Sequence, residues 1–171
     1  GLEIFFIHGN RDFLLDSSFA ESTGISLLPD PFFFDYFGKK IALSHGDMFC
    51  VDDTEYQTFK KQVRSPKWKT EFLNKSLDER KSIASSMRDA SKKNSSQKDL
   101  MIMDVNINEV ASFFDKHGID LLIHGHTHKP NIHELDGKNS KLKRVVLGDW
   151  DKTGWCFYLD STSQNLEEFR I

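Results

Sequence analysis

Apolar positions fall into short unbroken runs, and three of these runs stop abruptly at clusters of polar residues. Residues 4–7 are all apolar and lead into His8-Gly9-Asn10-Arg11-Asp12. Residues 41–43 lead into Ser44-His45-Gly46-Asp47, and the largely apolar 119–123 into His124-Gly125-His126-Thr127-His128. Short apolar runs bounded by glycine read as buried strands. Loops at strand ends are where α/β sheets bind their ligands. Residues 32–37 and 41–43, joined by a turn at Gly38-Lys39-Lys40, predict a hairpin. Residues 144–147, 155–159 and 166–171 predict further strands.

Helical patterns separate these runs. Asp16 or Ser17 can cap a short helix that stops at Gly24. Asn106 and Glu109 have capping-box spacing before a helix whose apolar face is Val110, Phe113 and Phe114, with a stop at His117-Gly118. Between about 52 and 100 the chain changes character. Tyr56, Phe59, Val63 and Phe72 recur at helical spacing in a Lys-rich background, Pro66 interrupts, and a second stretch runs through Ile83 and Met87. This predicts two or three helices inserted into an α/β domain that otherwise spans 1–171.

Composition changes the picture at three points. The net charge of −3 conceals an asymmetry: residues 55–98 carry twelve Lys and Arg against five Asp and Glu, and the rest is acidic. A basic segment in an acidic chain suits an anionic partner, phosphate or a membrane surface, or is simply a solvated helical face. No aromatic-interleaved basic strand or zinc-finger spacing points to nucleic acid. Two cysteines, Cys50 and Cys156, are too few for a disulfide framework and are expected to be buried and inert in a reducing cytoplasm. No apolar run reaches the roughly 18 residues of a membrane span. The chain opens without Met directly into what reads as a central strand, so a preceding piece is expected to be missing.

The three strand-end loops carry metal-type side chains. His124, His126 and His128 recur at alternate positions, on one side of an extended segment, and Gly125 would allow the rings to be re-aimed. Imidazole is the commonest metal-binding side chain. Imidazoles with an amide oxygen from Asn10 suit manganese, iron, cobalt or zinc rather than magnesium or calcium. His124 reads as an orienting residue rather than a ligand, and His8, His117 and His133 as structural.

The order Gly9-Asn10-Arg11-Asp12, His45-Gly46-Asp47, Gly125-His126-Thr127-His128 resembles the last three motifs of the calcineurin-like binuclear metallophosphoesterases. The D-x-H and G-D motifs that open that family's pattern are absent. Residues 6–15, 102–106, 123–130 and 145–148 with Trp150 carry the likeness further, to the UDP-2,3-diacylglucosamine pyrophosphohydrolase family of the lipid A pathway. The resemblance implies an αββα sandwich of two mixed sheets with a helical cap, here N-terminally truncated. It implies two divalent metal ions, Mn2+ for preference. Asn10, His45 and His126 would hold the second metal, and His128 would complete the first. Asn10, Arg11 and His126 would serve catalysis. Asn10, Arg11, His126, Asp53, Ser91, Ser95 and Lys98 would contact substrate, with Asn94 the alternative to Ser95.

The implied reaction is attack of a metal-activated water on the phosphorus nearer uridine, giving UMP and 2,3-diacylglucosamine 1-phosphate. The implied partners are a lipid-linked UDP-sugar and the cytoplasmic face of a Gram-negative inner membrane. No nucleic acid is involved, and a monomer is expected. Two other readings stay open on the residues alone: a metallophosphoesterase for a soluble nucleotide or phosphodiester, and a catalytically incomplete scaffold. Lacking the first motifs, these 171 residues by themselves are expected to bind metal weakly and turn over little.

Overall fold

The computed structural model describes residues 1–97, 103–137 and 141–171. It divides into two compact units, one made of residues 1–49 and 107–171, the other of residues 50–106.

The first unit is built on a five-stranded mixed sheet. Its strands are β3 (Phe32–Tyr36), β4 (Lys39–Ser44), β5 (Leu121–His124), β6 (Asn131–Asp136) and β7 (Lys141–Val146), in the order β3-β4-β5-β7-β6. The central three are parallel, and each edge strand runs antiparallel to its neighbour. Alternation along the strands sends side chains to two faces. On one face Ile41, Leu121 and Val145 form a core with Phe34, Leu43, Ile123 and Ile132. It is covered by Phe157, Leu159 and Leu166 of the antiparallel pair β8 (Thr153–Leu159) and β9 (Gln164–Arg170). The residues of opposite phase, Ala42, Ser44, Leu122, His124, Arg144 and Val146, are also buried. Phe33 of the same sheet stacks on Phe113 and His117 of α5 (Ile107–His117), whose Val110, Phe113 and Phe114 are buried. Helix, sheet and second sheet thus give the expected α/β layering.

Local signals explain most boundaries. Asp16 caps α1 (Ser17–Thr23) by accepting from Phe19 N, and Gly24 closes it in the left-handed conformation. Gly118 ends α5 likewise, its N–H donating to Phe114 O. The hairpin turn is Phe37-Gly38, both at positive φ, and Lys39 and Lys40 already belong to β4. Two residues at positive φ match the twist of a tight hairpin, which the expected three-residue turn would not. Two strands go beyond the sequence reading, β6 and the short β2 (Ser26–Leu28). Both are short and polar-flanked and carry no clear alternation. The opening strand β1 (Phe5–Ile7) pairs in parallel with β2 alone among the described residues. Phe5 is 55% exposed there, and Phe6 and Ile7 are half-buried.

The second unit holds α2 (Thr54–Val63), α3 (Pro66–Leu73) and α4 (Leu77–Gln97). Asp53 caps α2, Ser65 caps α3 with Pro66 in its first turn, and Ser76 with Glu79 forms a capping box at α4. Val63 and Phe72 are buried, whereas Phe59 is exposed, so the apolar stripe is narrower than its spacing suggests. Among the described residues no helix is long and apolar enough to cross a membrane. Cys50 is buried, as expected. Cys156 is only half-buried, its Sγ 3.9 Å from the Glu167 carbonyl, and β8 pairs with β9 alone among the described residues.

Two measurements check this account. Gly46 has φ +106, and a Cβ there would lie 2.6 Å from Nδ1 of the His124 ring. Gly46→Ala should therefore destabilise the fold by about 3 kcal/mol, read from chemical denaturation. Asp160 lies in the β8–β9 turn and accepts from the N–H and hydroxyl groups of Thr162 and Ser163. Those bonds hold its carboxyl well below its ordinary value of 3.8. A depressed carboxylate contributes stability above its unfolded value, lost as pH falls toward the folded one. The Tm difference between wild type and Asp160→Ala should thus be constant above about pH 5 and shrink steadily below pH 3.8.

Candidate metal centre at the strand ends

β4 and β5 are paired in parallel with Ser44 opposite His124, so their loops leave the sheet side by side. Gly125 N donates to His45 O at 3.1 Å, fastening one loop to the other. Asp30 braces the first loop, accepting from Ser44 Oγ at 2.7 Å and from His45 N at 3.3 Å. The third loop, after β1, is held by Gly9 N donating to Asp12 Oδ1. It lies against the same histidine: a Cβ on Gly9 would come within 3.1 Å of His45 Cε1. All three loops therefore meet at His45.

The meeting point is a pair of imidazoles. His126 Nδ1 and His45 Nε2 lie 3.1 Å apart with the rings edge to face, although 81 residues separate them. Metal–nitrogen bonds of about 2.0–2.1 Å place two nitrogens on one ion roughly 2.9–3.4 Å apart, so this pair fits a single divalent cation. Asn10 and Arg11, next to Gly9, are exposed. Among the described residues no group of three or more His, Cys, Asp or Glu side chains converges. The structure thus brings His45 and His126 together and leaves His128 apart. His128 Nδ1 is 3.7 Å from Asp149 Oδ2.

The histidine loop differs from its predicted shape. Positive φ falls on His126 (69°) and His128 (54°), not on Gly125. Left-handed turns at those two residues break the extended path, so the three rings do not share one side. His124, ending β5, is instead turned inward and buried, its Nδ1 facing Gly125 O at 2.9 Å. His8 is structural as expected, its Nε2 2.7 Å from Leu15 O, and His117 stacks against Phe33 and Phe113.

The remaining candidates lie in the helical unit. Asp53 is engaged as the α2 cap, Oδ1 accepting from Tyr56 N at 3.0 Å. Ser91 is exposed on α4, and Ser95 lies in the same helix. Lys98, like Ile102 of the 102–106 motif, lies outside the described residues. Three functional neighbours escape sequence reasoning: Asp30, Asp149 and Arg144. Asp149 sits in a strand-end Gly-Asp-Trp cluster, which is the one available signal. Nothing local marks Asp30 or Arg144.

Residues 2–130 match the family model described as calcineurin-like phosphoesterase. The UDP-2,3-diacylglucosamine hydrolase of Cellvibrio japonicus (strain Ueda107) is 40% identical over 171 residues, all of this chain and 71% of its own length. The proteins of that name from Escherichia coli O1:K1 / APEC and from E. coli strain K12 / DH10B are each 47% identical over 154 residues. That alignment covers 90% of this chain and 64% of theirs. The chain thus spans about two thirds of the length of these relatives. With the metallophosphoesterase motifs set on strand ends and two of their histidines meeting at one point, the chain belongs to the calcineurin-like phosphoesterase family.

Proposed function

We propose that this chain carries the second-metal half of a hydrolase that cleaves the pyrophosphate of UDP-2,3-diacylglucosamine to UMP and 2,3-diacylglucosamine 1-phosphate. The family works with divalent metals. The observation that carries the reading here is the 3.1 Å approach of His45 Nε2 and His126 Nδ1, beside the Asn10-Arg11 loop. The identity of 40–47% to relatives named for that substrate supports the choice of substrate.

His45 and His126 would hold one divalent cation with Asn10, and His128 would belong to a second; Mn2+ is the ion proposed for both. Such a cation, when bound, lowers the pKa of water and draws charge from phosphoryl oxygens. The protein's own groups do the rest. Arg11 presents a planar guanidinium to solvent, suited to two phosphoryl oxygens at once, and opposes the charge that builds on them as the phosphorus is attacked. Asp12 ties down Gly9 N, so Asn10 and Arg11 extend from a fixed bend rather than a loose loop. Asp149 Oδ2 stands 3.7 Å from His128 Nδ1, so its negative charge favours a ring orientation with Nδ1 turned toward it. Asp53, Ser91, Ser95 and Lys98 are proposed to hold the sugar and phosphate, although Asp53 must then serve its helix cap as well. The basic helical unit is proposed to shelter the acyl chains and to rest on the anionic cytoplasmic face of the inner membrane, the protein acting as a monomer.

His45→Ala and His126→Ala should each weaken Mn2+ binding by about 100-fold or more, read by calorimetry and by the loss of bound-ion paramagnetic resonance. Retention of wild-type affinity by either variant would remove that residue from the centre. Arg11→Ala should lower kcat by about 100-fold with Mn2+ affinity unchanged, and Arg11→Lys should recover only part, because a lysine lacks the fork. Substrates with long acyl chains should be cleaved faster than UDP-N-acetylglucosamine; equal rates would sink the lipid assignment and leave a soluble-nucleotide phosphoesterase.

A further inference from the structure

Arg144 and His124 are buried polar residues that the proposed chemistry does not use. The strand face carrying them is otherwise mostly apolar, with Ala42, Leu122 and Val146 as neighbours and Ser44 opposite His124. Arg144 retains 7% of its surface and His124 1%. Arg144 Nη1 lies 3.3 Å from His124 Nε2, and His124 Nδ1 lies 2.9 Å from Gly125 O. A guanidinium only donates and a carbonyl only accepts. Both neighbours therefore demand one tautomer, with the proton on Nδ1 and a lone pair on Nε2.

The ring so fixed touches both metal-site loops. On one side it fills the space a Cβ would need at Gly46, next to His45. On the other its Nδ1–H holds the Gly125 carbonyl, next to His126. The Gly125 N–H completes the circuit by donating to His45 O. The His124 backbone is pinned, its carbonyl accepting from Leu147 N at 2.7 Å, and its buried ring lies 6.0 Å from that of Phe49. With the opposite tautomer, a lone pair on Nδ1 would face the Gly125 carbonyl oxygen and repel it, and that peptide would have to turn.

We propose that Arg144 and His124 are a positioning pair: Arg144 selects the Nδ1–H tautomer of His124, which sets the 3.1 Å spacing of the His45 and His126 nitrogens. The proposal rests on the reading of those two histidines as ligands of one cation. Neither Arg144 nor His124 touches substrate or metal; each acts through the loop backbones. Groups that orient metal-binding histidines are worth about 10- to 100-fold in affinity.

The test is long-range 1H–15N spectroscopy of the imidazoles, joined to calorimetric titration with Zn2+, which is diamagnetic. Wild-type His124 should carry its proton on Nδ1. Arg144→Met removes the donor that keeps Nε2 unprotonated, so an Nε2–H form should become populated beside the Nδ1–H form held by the Gly125 carbonyl, and Zn2+ binding should weaken about tenfold. Arg144→Lys, which keeps a donor of shorter reach, should retain the Nδ1–H form and lose less affinity. A wild-type proton on Nε2 overturns the proposal, as does a folded Arg144→Met with unchanged tautomer and affinity. Should Arg144→Met not fold, the wild-type spectrum and Arg144→Lys decide, and loss of the Nδ1–H form in Arg144→Lys counts against the proposal. Failure of the wild type to bind Zn2+ would sink the metal-centre reading instead. The pair would then be judged by whether the nuclear Overhauser contact between the His45 and His126 rings disappears in Arg144→Met.

Discussion

Parallel pairing of β4 with β5 and of β5 with β7 is the constraint on which the site depends. It sets Ser44 opposite His124 and His124 opposite Val146, so three chain segments leave the sheet at one level. Parallel ladders are stable only when both faces are covered. Here α5 lies over one face and the β8–β9 pair over the other, and the apolar alternation of the three central strands supplies both contacts. Shifting β5 by one residue would send His124 to the opposite face and pull Gly125 away from His45. Core packing and site geometry are thus one problem, solved by one register.

Close approach is the second theme. Glycine at 46 lets the His124 ring press against the backbone beside His45, and glycine at 9 lets another loop lie on the His45 ring itself. A Cβ at Gly46 would lie 2.6 Å from the His124 ring and one at Gly9 3.1 Å from the His45 ring, so a side chain at either point would press on the imidazoles. Two imidazoles meet 3.1 Å apart, nitrogen to nitrogen, and the Gly125 N–H donating to His45 O ties together the loops that carry them. That is preorganisation, in which the energy of placing the nitrogens is supplied by the sheet and its loops.

The helical unit follows a different logic. Its three helices are specified locally by Asp53, Ser65 and the Ser76–Glu79 box, with few buried side chains. Lysines and arginines crowd its surface while the remainder of the chain is acidic.

Much of this protein was legible in its sequence. The capping residue Asp16, glycine stops at Gly24 and Gly118, and the apolar face of α5 act through neighbours a few residues away, and their elements stand where the pattern places them. Polar clusters at the ends of apolar runs likewise marked the three site loops. Tertiary structure decided which histidines meet. His45 joins His126 across 81 residues, His128 turns to Asp149, and His124 turns inward to Arg144. It also moved the left-handed turns from Gly125 to His126 and His128. Backbone angles in a loop and the partner of a side chain are fixed by strand register and by packing from distant segments. Neighbouring residue types carry no record of either.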